Sequence, residues 1–345
     1  MQYNFQNLQN QIPLINNDFL NFRIEKQYKN QTVKKKILVS YSIPKEGLVE
    51  LEKHFELIYP DKEFFTKDEL IALVPDCIAL LSIFNREVPK ELILAGKKLK
   101  MISNYGVGFN NIDIATANQQ NIIVCNTPDA VCEPTAELCL ALILSLSRRV
   151  AECHHALISN PDFEWGVMKN LGNTLKGKTL GIVGMGKIGK SIAQKAEVFG
   201  MKIIYHNRKP NLKSKFEYVD FKDLLTNSDI VSLNCPLTDE THHLIGEEEL
   251  ILMKNSAFLI NTARGSVVNE QALVDALKSN TIAGAALDVF ENEPKIHPEL
   301  LKMDNVVLVP HIGTATIETR IEMAREASDN IISYLINKKE KNRVN

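Results

Sequence analysis

The sequence predicts an α/β protein with two domains, each built around a parallel β-sheet. Its 345 residues suit about two domains at roughly 150 residues each. Short apolar segments alternate with segments of helical spacing, and this alternation starts again after one long helical segment. Strands that alternate with helices predict parallel sheets joined by crossover helices, so we expect two such blocks along the chain.

The first block starts at Lys36 and contains four apolar segments of strand length. The segments between them, such as 45–56 and 113–120, repeat their apolar residues at helical spacing. The predicted strands are "ILVSY" (37–41), "CIALLSIF" (77–84), "KMISNYG" (100–106) and "IIVCN" (122–126).

A long helix is predicted over 133–158, with Pro134 in its first turn, and the second block follows it. A last helix over 316–338 has the length and spacing to fold back over the first block. The strands predicted in the second block are "TLGIVG" (179–184), "KIIYH" (202–206), "DIVSLN" (229–234), "AFLIN" (257–261), "IAGAALDVF" (282–290) and "VVLVP" (306–310).

The N-terminal segment differs from both blocks. Thirteen of its first 32 residues are Asn or Gln, and they show little periodicity. We interpret 1–34 as an extension that precedes the domains. Two interpretations stay open, a flexible or loosely docked segment and an arm that binds a partner or promotes oligomerisation.

The composition is that of an ordinary globular protein, with 45% hydrophobic residues, 24% charged residues and a net charge of −2. Such a charge balance provides no basic field, so we expect no nucleic-acid partner.

The longest apolar run, 138–147, falls short of the roughly 20 residues that cross a bilayer. No secretory signal pattern is evident, and six cysteines without a CxxC pair indicate free thiols. We therefore expect a cytoplasmic protein without a membrane segment.

A glycine-rich stretch, "GMGKIG", stands between a predicted strand and a helical segment. Gly184 would make a tight turn, Gly186 would let a pyrophosphate approach the main chain, and Gly189 would let helix and strand pack closely. The phosphates would lie at the helix N-terminus, where free N–H groups and the helix dipole favour an anion. This context predicts a dinucleotide cofactor. The expected contacts in the loop are Gly184, Gly186, Lys187, Ile188 and Gly189.

The stretch "YHNRKP" (205–210) decides which dinucleotide is expected. An NAD site usually has a carboxylate near this point, where it accepts hydrogen bonds from the ribose 2′-hydroxyl. Here Asn207 removes the repulsion that such a carboxylate would exert on a 2′-phosphate, and Arg208 and Lys209 supply cationic donors. We therefore favour NADP(H) and keep NAD(H) as an alternative. The other interpretation of the basic pair is a solvated surface.

Polar residues follow three apolar strands of the second block. Arg264 follows 257–261, Asp288 and Glu293 follow the next strand, and His311 follows the last. Open α/β sheets bind ligands at these carboxyl ends. Arg264 could bind a substrate carboxylate and polarise a carbonyl, His311 could deliver a proton, and Glu293 could hold the protonated imidazole. Asp288 could anchor the nicotinamide amide. Such a set suits the reduction of a 2-keto acid.

The chain resembles the D-isomer-specific 2-hydroxyacid dehydrogenases from about residue 36 to 340. The stretches that match are "NYGVGFNNID" (104–113), "NTPDAVCEPTAEL" (126–138), "LKGKTLGIVGMGKIG" (175–189), "LNCPLTDETHHLIG" (233–246), "LINTARGSVVNEQALVDAL" (259–277), "GAALDVFENEP" (284–294) and "VPHIGTAT" (309–316). This resemblance implies a catalytic triad of Arg264, Glu293 and His311, with Asp288 in support. It also implies two Rossmann-like or flavodoxin-like domains, with the cofactor domain (133–313) inserted into the substrate domain (35–132 and 314–345).

Further contacts follow from the resemblance alone. The main-chain N–H groups of Val107 and Gly108 would bind the substrate carboxylate, and Ile83 and Phe84 would line the other wall of the pocket. Asn110 stands where the family often has Asp, which should matter little if main-chain groups make the contact. The residues implied at the cofactor are Cys235 and Pro236 against the adenosine and Thr262 and Ala263 in the nicotinamide pocket.

The basic pair most resembles the glyoxylate and hydroxypyruvate reductase branch, which implies a small 2-keto or 2-hydroxy acid as substrate and a homodimer formed through the cofactor domain. Trp165 would either reach the active site of the partner subunit or pack in an interface or core. The alternatives are an NAD-linked D-lactate or D-3-phosphoglycerate dehydrogenase and an NAD(P)-sensing, corepressor-like binding protein.

Two stretches invite a metal interpretation, "CHH" (153–155) and "DETHH" (239–243). Neighbours on a helix point about 100° apart, so one ion cannot use all three side chains of the first stretch. The second stretch matches a helix entry of the family. We predict no metal site.

Overall fold

The computed structural model describes residues 34–160, 162–211 and 213–345. Residues 1–33, which make up nearly all of the predicted extension, lie outside the described residues. The described chain forms two parallel sheets, one of five strands and one of seven. The prediction of two parallel-sheet α/β domains is therefore confirmed.

The five-stranded sheet has the order β2-β1-β3-β4-β5. This order reverses direction between its first and third strands, as in flavodoxin-like folds. The strands are β1 (Lys36–Val39), β2 (Glu56–Ile58), β3 (Cys77–Ile83), β4 (Met101–Tyr105) and β5 (Ile123–Cys125). The helices are α1 (Val49–His54), α2 (Lys67–Leu73), α3 (Lys90–Ala95) and α4 (Ile114–Gln119), with short 3₁₀ turns at Lys45–Gly47 and Val74–Asp76.

The seven-stranded sheet has the order β12-β11-β10-β9-β6-β7-β8, a Rossmann-like arrangement that reverses between β6 and β9. Its strands are β6 (Thr179–Val183), β7 (Lys202–His206), β8 (Glu217–Tyr218), β9 (Ile230–Leu233), β10 (Phe258–Asn261), β11 (Gly284–Leu287) and β12 (Val306–Leu308). The helices are α5 (Cys132–Ser147), α6 (Val150–Ser159), α7 (Lys187–Val198), α8 (Phe221–Asn227), α9 (Glu247–Leu252) and α10 (Glu270–Lys278), with 3₁₀ turns at Gly265–Val267 and Leu300–Lys302.

The final helix, α11 (Ile317–Leu335), joins the C-terminal part of the chain to the first sheet. Met323 and Ala327 pack in one core with Val39 of β1. The hydroxyl of Ser103 in β4 donates a hydrogen bond of 2.9 Å to the carbonyl of Ala327. The chain therefore leaves the first domain, builds the second and returns, so the predicted insertion is confirmed. The limits 35–132, 133–313 and 314–345 stay a prediction.

The single helix predicted over 133–158 is wrong, because two helices occupy this segment. α5 ends at Ser147, and Arg149 has a left-handed φ of 55° before α6 begins. α5 is buried beneath the large sheet, where Cys139 and Ile143 pack with Ile260. α6 has no buried residues. The two parts of the segment therefore have different surroundings, and nothing keeps α6 on the axis of α5.

Two edge strands were not expected from the sequence. β2 is exposed or half-buried along its three residues, and β8 has only two residues. Neither segment shows the apolar run or the alternation by which strands are recognised. No helix in the described ranges is long and apolar enough to cross a membrane.

Candidate active site

The glycine loop after β6 lies at the point where the large sheet reverses its strand order. Gly184 has a φ of 99°, and a Cβ there would lie 2.7 Å from the carbonyl carbon of Asn234 at the end of β9. A Cβ on Gly189 would lie 2.2 Å from the main-chain oxygen of Gly184. Gly186, by contrast, would place its Cβ in open space with no atom within 4 Å. Two glycines therefore allow close packing, and the third faces the space that a pyrophosphate would use.

The other predicted cofactor residues of this loop point elsewhere. Lys187, the first residue of α7, donates a hydrogen bond from Nζ to the Asp129 carboxylate, which precedes α5. Ile188 packs between the cores of the two domains. The structure thus places both residues at the phosphate loop, but their side chains join the loop to neighbouring segments.

A cavity of about 640 Å³ opens at the carboxyl ends of β6 and β7. Asn207 connects this cavity to the glycine loop, because its Oδ1 accepts a hydrogen bond of 2.7 Å from the N–H of Met185. The predicted residues that line the cavity are Gly184, Asn207, Arg208, Lys209, Cys235 and Pro236. The structure therefore brings the predicted adenosine contacts and the basic pair together.

Glu240 also lines this cavity, and sequence reasoning missed it. The hydroxyl of Thr238 donates a hydrogen bond of 2.7 Å to Oε2 of Glu240. This bond, a main-chain hydrogen bond and the nearby charge of Arg208 together lower the pKa of Glu240. A carboxylate thus lies within the electrostatic reach of Arg208. The acid belongs to "DETHH", the stretch that matches a helix entry of the family.

At the ends of two neighbouring strands, two buried polar atoms lack protein partners among the described residues. They are Oγ1 of Thr262, after β10, and Oδ1 of Asn234, after β9. Buried polar atoms are normally hydrogen-bonded, so these two indicate a polar ligand in the same place. Together with the open space at Gly186 and the cavity beside Arg208, they fit a nicotinamide dinucleotide.

His311 and Glu293 form a hydrogen-bonded pair. The His311 Nδ1 lies 2.9 Å from Oε2 of Glu293, and the other carboxylate oxygen accepts the N–H of Phe290 at 3.1 Å. Burial raises the pKa of Glu293, but the hydrogen bond and charge of His311, the Phe290 N–H and the charge of Arg264 lower it by more, so the net shift is downward. The carboxylate is therefore kept ionised next to the imidazole.

Arg264 lies against the loop that follows β4 in the other domain. A Cβ on Gly108 would be 1.7 Å from Nη2 of Arg264, so only glycine allows this approach. Burial lowers the pKa of Arg264, although the charges of Glu293 and Asp288 oppose that shift. Asn261 supports the arginine segment, because its side chain bonds both the Ala263 N–H and the Arg264 carbonyl. The sequence contained no signal for this role of Asn261 beyond its position at the end of a strand.

Asp288 holds the segment that carries His311. Its Oδ1 accepts the N–H of Ile312 at 2.6 Å and its Oδ2 accepts the N–H of Gly313 at 3.0 Å. Only 2% of the residue is exposed, and burial raises its pKa. Asp288 could therefore accept a hydrogen bond from the nicotinamide amide only with the oxygen lone pairs that these two bonds leave free.

Side-chain amides orient the loop that contains Val107 and Gly108. Asn126 donates a hydrogen bond of 2.7 Å to the Val107 carbonyl, and Asn104 donates one of 2.7 Å to the Gly108 carbonyl. Within the described ranges, the N–H groups of Val107 and Gly108 have no hydrogen-bond acceptor. The loop therefore has two adjacent N–H groups available beside Arg264.

Asn110 also makes a contact that was not expected, because its amide donates a hydrogen bond of 3.2 Å to the Leu237 carbonyl of the other domain.

Phe84 and Ile83 differ in position. The Phe84 ring lies 5.1 Å from the His311 ring between centroids, so it forms a wall next to the imidazole. Ile83 is 6% exposed and its side chain lies in the core of the smaller domain. The structure therefore brings Phe84 to the candidate site but not the side chain of Ile83.

Across the described residues, no group of three or more His, Cys, Asp or Glu side chains is placed to hold a metal ion.

Comparisons with known proteins point to one family. The family model for the D-isomer specific 2-hydroxyacid dehydrogenase NAD binding domain matches residues 140–313. A glyoxylate reductase of Thermococcus litoralis is 45% identical over 312 residues, which cover 88% of this chain and 94% of the relative. A glyoxylate reductase of Korarchaeum cryptofilum is 43% identical over 310 residues, covering 88% of this chain and 93% of the relative.

Solved structures show the same fold. The TT0316 protein of Thermus thermophilus has a TM-score of 0.84 at 37% identity, covering 90% of this chain and 100% of that one. An NADPH-dependent glyoxylate/hydroxypyruvate reductase of Sinorhizobium meliloti, in complex with NADP and malonate, has a TM-score of 0.78 at 31% identity, covering 90% and 97%. The protein therefore belongs to the D-isomer specific 2-hydroxyacid dehydrogenase family and is an NAD(P)-dependent oxidoreductase that acts on CH–OH donors.

Proposed function

We propose that this protein reduces a small 2-keto acid, glyoxylate or hydroxypyruvate, to the D-2-hydroxy acid and prefers NADPH to NADH. The observation that carries the proposal is the position of the Arg264 guanidinium against Gly108, next to N–H groups that have no acceptor in the described chain. This pairing offers a cation and two main-chain donors to one carboxylate. The glyoxylate reductases at 43–45% identity support the choice of substrate.

The substrate carboxylate would bind the N–H groups of Val107 and Gly108, and Arg264 would bind the carboxylate and the carbonyl oxygen. The bound nicotinamide supplies the hydride. As negative charge develops on the carbonyl oxygen, Arg264 stabilises it in a site partly removed from water. His311 then delivers a proton to that oxygen from Nε2, since Nδ1 is directed at Glu293. Glu293 stabilises the protonated imidazole, and Asp288 keeps its segment in place.

The cofactor preference rests on the cavity after β7. Arg208 and Lys209 would bind the 2′-phosphate of NADPH, while Asn207 offers no charge against it. Gly186 would admit the pyrophosphate, and Gly184 and Gly189 would allow the close packing of the loop around it. The adenosine would lie against Cys235 and Pro236, and Thr262, Ala263 and Asp288 would surround the nicotinamide.

One observation favours a second candidate. Glu240 places a carboxylate at the same cavity, and an acid there disfavours a 2′-phosphate. An NAD-linked dehydrogenase of D-lactate or D-3-phosphoglycerate is therefore the alternative.

We also infer a homodimer formed through the cofactor domain. Several large apolar side chains on α6 and the segment after it are left exposed by the residues that the structure describes. They include Ile158 at 69%, Trp165 at 77%, Val167 at 93% and Met168 at 78% exposed. Adjacent exposed apolar side chains of this size are typical of an interaction surface.

The test is a kinetic comparison of glyoxylate and hydroxypyruvate with each reduced cofactor, followed by the absorbance of the nicotinamide. We expect turnover of at least one acid, a higher kcat/KM with NADPH, and loss of turnover in His311→Ala with NADPH binding retained. A higher kcat/KM with NADH would support the NAD-linked alternative. Cofactor binding without turnover of any 2-keto acid in a broad panel would support a sensing protein instead.

A further inference from the structure

Residues 342–345 lie along β5, the outer strand of the small sheet. The Val344 N–H donates a hydrogen bond of 2.9 Å to the Val124 carbonyl within this strand. Just after the strand, the Asn126 N–H donates a hydrogen bond of 3.1 Å to the Asn342 carbonyl. The segment therefore pairs with the edge of the sheet up to the point where β5 ends.

Asn342 also contacts α11 through its side chain. Its amide donates hydrogen bonds of 2.9 Å to Oε1 of Glu326 and 3.2 Å to Oδ1 of Asn330. Asn330 is fully buried, and its Nδ2 donates a hydrogen bond of 2.9 Å to the Asn126 carbonyl. The N–H and the carbonyl of Asn126 are thus both bonded to residues from the C-terminal part of the chain.

Asn126 extends these contacts to the proposed substrate site. Its side-chain amide donates to the Val107 carbonyl at 2.7 Å, and the N–H of the following Thr127 donates to the Gly106 carbonyl at 3.1 Å. In a trans peptide, the carbonyl of one residue and the N–H of the next point in opposite directions. The bond to the Gly106 carbonyl therefore sets the direction of the Val107 N–H. The bond to the Val107 carbonyl likewise sets the direction of the Gly108 N–H.

The N–H groups of Val107 and Gly108 are the donors proposed for the substrate carboxylate, so we name residues 106–108 the carboxylate loop. Two of its three residues are glycines, which restrict their own backbone dihedral angles least of all residues. A hydrogen bond also weakens steeply as its donor turns away from the acceptor. The orientation of the two donors therefore depends on hydrogen bonds from outside the loop.

We propose that Asn342 and Asn330 are positioning residues for the substrate carboxylate. They act through Asn126, which orients the two donors of the carboxylate loop. The inference rests on the proposed function, because it requires that these donors bind the carboxylate. The cofactor cavity lies in the other domain, outside this path. Loss of the path should therefore lower the affinity for the 2-keto acid and leave the affinity for the reduced cofactor unchanged.

The experiment compares substrate and cofactor affinity in alanine variants of the full chain. Oxamate, the half-amide of oxalic acid, presents the carboxylate and carbonyl of a 2-keto acid but is not reduced, so its Kd is measured by calorimetry on the enzyme saturated with NADPH. Asn330→Ala should raise the KM of the 2-keto acid and the Kd of oxamate at least about fivefold, and Asn342→Ala at least about threefold. The kcat and the Kd of NADPH should change less than about twofold. If Asn330→Ala does not fold, the half-buried Asn342 provides the test.

Asn345→Ala is the matched control within the same segment. The Asn345 side chain makes three hydrogen bonds of 2.8 Å, with Asn118, Ile122 and Val124. This is one more than the Asn342 side chain makes, and none of the three involves a residue of the proposed path. If residues 342–345 only stabilise the small domain, the two variants should behave alike. We expect Asn345→Ala to keep the wild-type KM and oxamate affinity, even if its unfolding temperature falls.

A double-mutant comparison tests whether the effect passes through Asn126. Asn126→Ala removes the hydrogen bond to the Val107 carbonyl and should itself weaken oxamate binding. In that background Asn342→Ala should change the oxamate affinity less than it does in the wild type, because the contact that it orients is already lost.

The proposal is overturned if Asn330→Ala and Asn342→Ala keep the wild-type oxamate affinity, if Asn345→Ala lowers it equally, or if Asn342→Ala has the same effect in both backgrounds. Oxamate binding requires no turnover, so this result is separate from that of the proposed function. Loss of oxamate affinity in Asn342→Ala supports the positioning role even if no 2-keto acid is reduced. Wild-type reduction of glyoxylate with unchanged affinity in both variants supports the proposed function alone. A wild type that neither binds oxamate nor reduces a 2-keto acid overturns both.

Discussion

The Nδ1 atom of His311 lies 2.9 Å from Oε2 of Glu293, and His311 has a left-handed φ of 52°. A non-glycine residue holds this backbone conformation only where its surroundings require it. Here the Asp288 carboxylate accepts the N–H groups of Ile312 and Gly313, the two residues that follow His311. A carboxylate at the end of β11 therefore determines the position of the imidazole that follows β12. The pair and its support thus form one unit across β11 and β12.

Glu293→Gln should weaken reduction of the 2-keto acid. The carboxylate is hydrogen-bonded to the imidazole that delivers the proton, and since a hydrogen bond to a charged group contributes about 1.5–3 kcal/mol, we expect kcat/KM to fall about 10- to 100-fold. Because the pKa of Glu293 is lowered, the wild type should keep this advantage at neutral pH and lose it only at acid pH, where the carboxylate becomes protonated. The measurement is the pH profile of 2-keto acid reduction.

Glu291→Gln is the matched control for that profile. Glu291 is two residues away and lies 2.7 Å from the Nε2 of His243, outside the proposed site. Its profile should keep the wild-type shape. An unchanged profile in Glu293→Gln would contradict the proposed role of the pair.

Asp288→Asn tests whether Asp288 positions His311 or binds the cofactor. An amide can accept only one of the two N–H groups that the carboxylate now accepts, and an unpaired buried donor costs about 1–3 kcal/mol. We expect kcat to fall about tenfold or more while the dissociation constant of NADPH changes less than about threefold. Stopped-flow turnover and fluorescence titration of NADPH measure the two quantities. A larger change in NADPH binding than in kcat would favour the predicted nicotinamide contact.

Much of the fold was predictable because it depends on local patterns. Buried strands such as β6 and β10 are continuous apolar runs, and the sequence between β6 and α7 carries its glycines in the spacing of a phosphate loop. β2 and β8 were missed because short exposed edges have no such pattern. The break after α5 was missed because Arg149 adopts a left-handed φ that no residue type in this stretch signals.

The candidate site was predictable where the chemistry requires a particular side chain. Arg264, Glu293 and His311 are residue types with defined roles, and each follows a strand. The supporting contacts were not predictable in the same way. Asn104, Asn126 and Asn261 act through hydrogen bonds to main-chain groups, and Asn110 through a bond between domains, so their roles depend on tertiary positions.

Gly186→Ala and Gly189→Ala should separate an effect on NADPH binding from an effect on the stability of the fold. A Cβ at position 186 meets nothing and the φ there is −80°, so this variant should unfold at the wild-type temperature but bind NADPH at least about tenfold more weakly. A Cβ at position 189 would lie 2.2 Å from a main-chain oxygen, which should reduce the free energy of unfolding by about 1–3 kcal/mol. Thermal unfolding and NADPH titration check both. Equal loss of stability in the two variants would contradict this assignment.

Val167→Asp should weaken the proposed homodimer. Val167 is 93% exposed beside Trp165 and Met168, so a charge there would cost little in one subunit but would be desolvated in an interface. We expect sedimentation to shift from dimer towards monomer at micromolar concentration. Val49→Asp is the control, because Val49 is 55% exposed on α1 of the smaller domain. A monomeric wild type, or an unchanged dimer in Val167→Asp, would contradict the inference.

Arg208→Ala and Glu240→Gln should change cofactor selectivity in opposite directions. Both residues line the cavity after β7, and their charges have opposite effects on a 2′-phosphate. Loss of Arg208 removes a charge-assisted contact, so kcat/KM for NADPH should fall about 10- to 100-fold with little change for NADH. Loss of the exposed Glu240 charge should raise the NADPH to NADH ratio about two- to fivefold, an effect that added salt should reduce.

Lys202→Ala is the control for this pair, because Lys202 is an exposed cation at the opposite end of β7. It should leave the NADPH to NADH ratio unchanged, which separates a local contact from the general loss of a positive charge. If Arg208→Ala weakens both cofactors equally, the basic pair is a solvated surface and the NAD-linked alternative gains support. If Arg208→Ala lowers the NADPH to NADH ratio but Glu240→Gln leaves it unchanged, the Glu240 carboxylate lies too far from the ribose to select between cofactors. The basic pair alone then sets the preference.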